Sequence, residues 1–175
     1  MKHLPVLLIL AAAPLHAAVW EIELGGIAGE GLLGGNEVDS LPDSFASGKE
    51  LPFNEIPGIL YDDASKTLEF HVGWGVHEVV QGVQLAGQYI SSALYGPASS
   101  TDNSPDALYT FTLDSGFRPA GDASGRSGFV DTRLTLAPIG DYSVAEQQAD
   151  LLNSRWYFNI VTTAYETGEI RGQLH

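Results

Sequence analysis

The sequence predicts an all-β domain, an antiparallel sandwich or barrel carrying one short helix. Three observations lead there. Short runs alternate apolar and polar residues with a period of two, as half-buried strands do. Clusters of Gly, Pro, Asp and Ser separate those runs, in a chain with 20 Gly and 9 Pro among 175 residues. A single stretch near the C-terminus has helical spacing and a helix-start signature.

The elements follow in order. Trp20, Ile22 and Leu24 alternate with Glu21 and Glu23, which predicts a first strand. Residues 25–35 are glycine-rich, and residues 39–57 read as a loop. A hairpin follows: one strand over 58–61, the turn Asp62-Asp63-Ala64-Ser65-Lys66, and a returning strand over 67–72. Residues 83–85 and 90–95 suggest short strands, and 96–106 reads as a turn-rich loop. Strands over 108–113 and 129–136 flank a Gly/Asp/Ser-rich loop at 114–128. In residues 143–152, Ser143 and Glu146 have capping-box spacing, in which each side chain satisfies an otherwise unpaired backbone donor. Strands over 156–163 and 169–174 close the chain around the tight turn Glu166-Thr167-Gly168. About seven to nine strands are expected from these signals.

Composition narrows the function classes. The chain has 22 acidic and 8 basic side chains and a formal net charge of −14. That balance opposes nucleic acid, whose phosphates need Lys and Arg to displace counterions, and opposes an anionic membrane surface. No cysteine is present, so disulfides, thiol nucleophiles and thiolate metal sites are excluded.

Residues 1–18 read as a signal peptide, and 19–175 as one domain. Lys2 supplies the positive start, and residues 4–13 form an apolar run too short to span a bilayer. Ala17 and Ala18 offer small residues for the cut, with Leu15 or His16 three positions upstream of it. The expected location is therefore secreted or periplasmic, with no membrane insertion once the leader is gone.

The closing residues carry a family resemblance. The run Trp156-Tyr157-Phe158-Asn159-Ile160-Val161-Thr162-Thr163, a turn, and Gly168-Glu169-Ile170-Arg171-Gly172-Gln173-Leu174 resemble the end of the CHRD (chordin-repeat) domain family. Leu33-Gly34-Gly35-Asn36-Glu37-Val38, Ser92-Ala93-Leu94-Tyr95-Gly96-Pro97-Ala98 and the helix candidate agree with it in order. The resemblance runs over about residues 24–175. It implies an immunoglobulin-like sandwich or barrel, extracellular use, a distant similarity to copper/zinc superoxide dismutases, and no assigned activity. It marks Glu37, Asn159, Gly168, Glu169, Arg171 and Gly172 as motif residues. Where the family usually has a His-x-His pair and a later His, this chain has Ala93, Tyr95 and Val161. Alanine and valine cannot ligate a metal, so no metal or other cofactor is expected.

The remaining candidates are weighed residue by residue. Arg171 is expected to stack on an aromatic such as Tyr157 and to pair with Glu37 or Glu169, pinning the last strand. Gly168 and Gly172 are expected to serve backbone needs. His71 and His77, six apart with Glu78 beside the second, lack a third ligand at telling spacing. His175 is terminal and expected to be mobile. Asp62-Asp63 and Asp102-Asn103 with Asp106 are oxygen donors without the spacing of a calcium loop. Trp74 lies between Gly73 and Gly75 and reads either as an exposed binding surface or as a plug for the barrel end. No Gly-x-Ser-x-Gly elbow, His-Glu-x-x-His helix or phosphate loop occurs, so no catalytic residues are assigned. The reading is a non-enzymatic binding or structural module with an extracellular protein, matrix or glycan partner. The alternatives are a dismutase-like metal protein and a polysaccharide hydrolase built on paired carboxylates.

Overall fold

The computed structural model describes residues 18–38, 43–52, 57–76, 81–119 and 125–175. Among the described residues twelve strands pair antiparallel throughout, with one short helix. They are β1 (Val19–Glu21), β2 (Leu24–Gly25), β3 (Leu32–Leu33), β4 (Ser47–Glu50), β5 (Ile59–Asp62) and β6 (Thr67–Trp74). After them come β7 (Tyr89–Tyr95), β8 (Ala107–Phe111), β9 (Phe117–Pro119), β10 (Gly128–Thr135), α1 (Val144–Leu152), β11 (Trp156–Thr162) and β12 (Ile170–Leu174). One continuous path runs β1-β5-β6-β4-β3-β12-β11-β7-β8, with β10 on β6, β9 on β10 and β2 on β12. The β3–β4 pair joins the half built on β6 to the half built on β11 and β12.

The core lies between those halves. From β6, Phe70 meets Phe111 of β8 at 5.5 Å and Phe158 of β11 at 5.1 Å between ring centroids. Leu68, Val72, Ile160, Ile170 and Leu174 fill the same space and are buried. Each such side chain contributes roughly 1.5–3 kcal/mol on leaving water. The β5–β6 hairpin turns where the sequence places it. Asp62 accepts from the amides of Ala64 and Ser65 and from the Ser65 hydroxyl, which holds the turn closed.

The helix also matches its signature. Ser143 is the N-cap, its hydroxyl accepts from the Glu146 amide, and the Glu146 carboxylate reaches back to the Ser143 amide. Leu151 enters the core. The buried Gln147 amide donates to the carbonyls of Ala137 and Tyr142 and accepts from the Tyr109 hydroxyl, tying the helix to the sheet.

Five local expectations change. The predicted first strand is two strands. Trp20, 47 % exposed, lies in β1 against β5, and the chain crosses to the other half before Leu24 pairs with Leu174. Residues 39–57, read as a loop, contain β4, and 114–128 contain β9. Residues 83–85 form no strand, although Leu85 is buried. His175 is not loose: its backbone amide and carbonyl both pair with Glu23.

Candidate functional site

Strands β11 and β12 face each other with Asn159 opposite Arg171 and Tyr157 opposite Gln173. Alternation sends Phe158, Ile160, Ile170 and Leu174 into the core and Tyr157, Asn159, Arg171 and Gln173 to the opposite face. Strand β7 adds Tyr95 opposite Tyr157 and Ala93 opposite Asn159. Loop 96–106 closes over this outer face. In consequence both faces of the two closing strands are covered, and four polar side chains are buried where a free sheet face would meet water.

Arg171 is the centre of the arrangement and only 1 % exposed. Its Cζ lies 3.6 Å from the centroid of the Tyr157 ring, and Tyr157 stacks in turn on Tyr95 at 5.2 Å. The guanidinium donates to Asn103 Oδ1 at 2.6 Å, to the Ser99 carbonyl at 2.9 Å and to Gln173 Oε1 at 3.1 Å. Gln173 donates to the carbonyls of Ala98 and Ser154. The Tyr157 hydroxyl accepts from the Ser104 amide at 3.1 Å. Loop 96–106 is thus held at four residues by three side chains of the sheet. A planar, permanently charged donor set suits this task, since it can stack and bond several oxygens at once. Burial pushes the Tyr157 phenol above its ordinary value, and the Arg171 charge partly opposes that. Burial does the same to Tyr95, and the charge of Glu37 adds to it.

The other motif residues gather around this stack. Gly168 has φ +148°, and a Cβ there would fall 2.5 Å from Glu37 Oε1 and 2.6 Å from Asn159 Nδ2. Glu37 and Asn159 therefore meet against bare backbone. The Asn159 amide donates to the Thr167 carbonyl, and its Oδ1 is buried with no hydrogen-bond partner among the described residues. Gly172 faces inward, where a Cβ would come within 2.9 Å of Leu32 Cδ2. Glu169 has a separate task. Its buried carboxylate accepts from the hydroxyls of Ser44 and Thr162 and from the amides of Ala86 and Gly87. It fastens two further loops to the end of the sheet.

The expected contact of Arg171 with Tyr157 is present. The carboxylate of Glu169 is directed to hydroxyls and amides, and the guanidinium takes its oxygens from Asn103, Ser99 and Gln173. Sequence reasoning gave Asn36, Ser44 and Gln173 no role in this cluster, and weighed Asn103 only as an oxygen donor beside Asp102 and Asp106. Asn36 accepts from the Ala28 amide and donates to the carbonyls of Gly31 and Arg171, stitching the glycine-rich segment to β12. A signal for Gln173 was available, because it shares the Arg171 face of the closing strand.

Trp74 is corrected. It is the last residue of β6, 0 % exposed, with Tyr89 and Phe117 stacked near it at 5.8 and 5.9 Å. Gly73 and Gly75 are both buried, so this is an interior position and not an exposed aromatic loop. His71 pairs with Asp131 across β6 and β10 at 2.7 Å, while His77 and Glu78 lie outside the described residues. Asp63 pairs with Lys66 of its own turn and accepts from Gln148 of α1, and Asp102 accepts from the Ser99 hydroxyl of its own loop, so these carboxylates are engaged by the protein itself. Ala93, Tyr95 and Val161 fall on the outer face of neighbouring strands. Two of them offer no ligand atom and the Tyr95 ring is stacked on Tyr157, a donor set that does not fit a transition metal.

A second feature is a recess of about 350 Å³ beside β1, β2 and β4, lined by Glu21, Glu23, Glu30, Lys49 and Glu50 with Ile22, Leu24 and two prolines. The Glu50 carboxylate accepts from the Leu24 amide, and burial raises its pKa.

Among known proteins, the family model for the CHRD domain matches residues 59–174, from β5 to the end of β12. Glu37 lies upstream of that stretch, yet the fold returns it to the motif cluster. No curated protein and no solved structure matches the chain.

Proposed function

The chain belongs to the CHRD domain family, and on that footing we propose that it is an exported binding or structural module without enzymatic activity. The observation that carries this reading is the burial of the motif. Arg171, Glu169, Asn159 and Gln173 are all buried, and their polar groups are directed at the protein's own loops. A group that performs chemistry must reach a substrate. These side chains reach carbonyls, hydroxyls and amides of neighbouring segments, which is the work of a clasp. Recognition then belongs to the exposed surface, where the acid excess keeps the domain soluble and favours cationic over anionic partners. The partner class is an extracellular protein, matrix or glycan. No helix among the described residues is long and apolar enough to cross a membrane.

The test uses the mature protein as bait on the native extracellular fraction, alongside a polysaccharide hydrolysis panel and elemental analysis. Saturable capture of one partner by wild-type protein and by a variant of the closing strand that still folds supports the module. Turnover of a glycan, or stoichiometric copper or zinc, overturns it.

A further inference from the structure

We propose that a polar recess beside the clasp binds a neutral sugar residue of an extracellular glycan. The proposal rests on the binding-module reading above and names the site and the ligand class.

The recess measures about 530 Å³, within the range of small-ligand sites. One wall is loop 96–106, through Ser99 and Ser100. The facing wall is the turn between α1 and β11, through Asn153, Ser154 and Arg155. Gln173 lies between them and is only 4 % exposed. Its amide donates to the Ala98 carbonyl on one wall at 3.0 Å and to the Ser154 carbonyl on the other at 2.6 Å. The two walls are therefore held at a fixed spacing before any ligand arrives, which lowers the ordering cost of binding. Arg171 backs the same arrangement through its bonds to Ser99 and Gln173. The buried clasp thus builds a surface site.

Charge selects the ligand. No Asp or Glu side chain lines the recess, so a cation finds no carboxylate there. Arg155 is paired with Asp150 at 2.8 Å, and the whole chain carries a formal charge of −14, so an anion gains little. What remains are hydroxyl, amide and imidazole groups, which hydrogen-bond without needing a counter-charge. Serine hydroxyls both donate and accept, as sugar hydroxyls do, and Asn153 and Arg155 add planar donors. Ile27, 59 % exposed, is the one apolar side chain in the lining and offers a surface to the C–H face of a ring. A peptide, whose anchors are mostly aromatic or aliphatic, finds no pocket for them here.

The turn after α1 carries an independent sign. Ser154 has φ +57° and follows the C-cap Asn153, a position where helices often place glycine. A serine is strained there, and bare backbone would serve the turn better. The strained residue is one that brings a hydroxyl to the recess.

The isotope-labelled mature protein is titrated with neutral trisaccharides (maltotriose, cellotriose, mannotriose and triacetylchitotriose) and followed by amide NMR. At least one is expected to bind saturably, to shift the amides of Ser99, Ser100, Asn153, Ser154 and Arg155, and to bind equally well at low and high salt. Binding by none of them, shifts confined to another face, or tighter binding of trigalacturonate or trilysine overturns the inference and leaves the module reading standing. Cleavage of the bound sugar overturns the module reading and leaves the recess assigned. In Ser154→Gly the melting temperature is expected to rise while affinity falls about three- to tenfold, the worth of one hydrogen bond. A merely structural Ser154 would give the first change without the second, so an unchanged affinity contradicts the assignment.

Discussion

The closing hairpin and the N-terminal third of the domain are built from the same antiparallel pairing, yet they tolerate sequence differently. In β11 and β12 nearly every residue is buried, because the core takes one face and loop 96–106 takes the other. Side chains there meet specific neighbours: a ring for the guanidinium, carbonyls for the Gln173 amide, and the bare backbone of Gly168 for Asn159. The strands before residue 52 are two to four residues long, and β1 is exposed along its length. They hold largely by main-chain bonds, and the residue type is fixed only where a side chain enters the core, as at Leu24 and Leu32, or the backbone packs closely, as at Gly48. Specific residues are demanded where both faces of a strand are covered.

Substitutions sharpen this contrast. The largest effect among the supporting residues is expected for Glu169→Ala, which strands two amides and two hydroxyls at the sheet end. A loss of about 3–4 kcal/mol in chemical denaturation is predicted. Gly168→Ala follows at roughly 2–3 kcal/mol, since it combines a positive φ with a Cβ placed on Glu37 and Asn159. Ser143→Ala, outside the clasp, should cost about 1 kcal/mol through loss of the helix cap, measured the same way. The smallest effect is in the acidic recess and has the opposite sign. Burial raises the pKa of Glu50, so the folded state holds its proton to higher pH than the unfolded chain does. Folding stability therefore falls as pH rises above the ordinary glutamate range. Glu50→Gln should raise the melting temperature slightly at pH 7 and give no gain below the ordinary glutamate value of 4.5. A loss at pH 7 would break that half of the contrast.

Legibility in the sequence follows the same division. The helix could be read because Ser143 and Glu146 satisfy each other locally. The closing strands could be read because their apolar alternation and their motif coincide. Strand β4 could not, since Ser47-Gly48-Lys49-Glu50 holds no β-former. It exists because β3 and β6 supply both its neighbours and because Gly48 permits close approach: a Cβ there would fall 2.5 Å from the Gly73 carbonyl. Trp74 was ambiguous for a related reason. Flanking glycines mark close packing as readily as a loop, and only the long-range pairing of β6 with β4 and β10 distinguishes them. At the site, Arg171 and Tyr157 were foreseeable as a stack. Asn103 and Ser99 were not, because their role depends on where a loop about 70 residues upstream comes to rest.

The central claim is that Arg171 acts as a structural clasp. Thermal unfolding of Arg171→Ala against wild type, followed by circular dichroism, tests it most directly. Losing the stacked guanidinium leaves the oxygens of Asn103, Ser99 and Gln173 without their donor, which should cost about 3–4 kcal/mol. For a domain of this size that corresponds to a melting temperature lower by roughly 6–16 °C, with partial recovery in Arg171→Lys. An unchanged melting temperature would contradict the account and return Arg171 to the candidates for ligand contact.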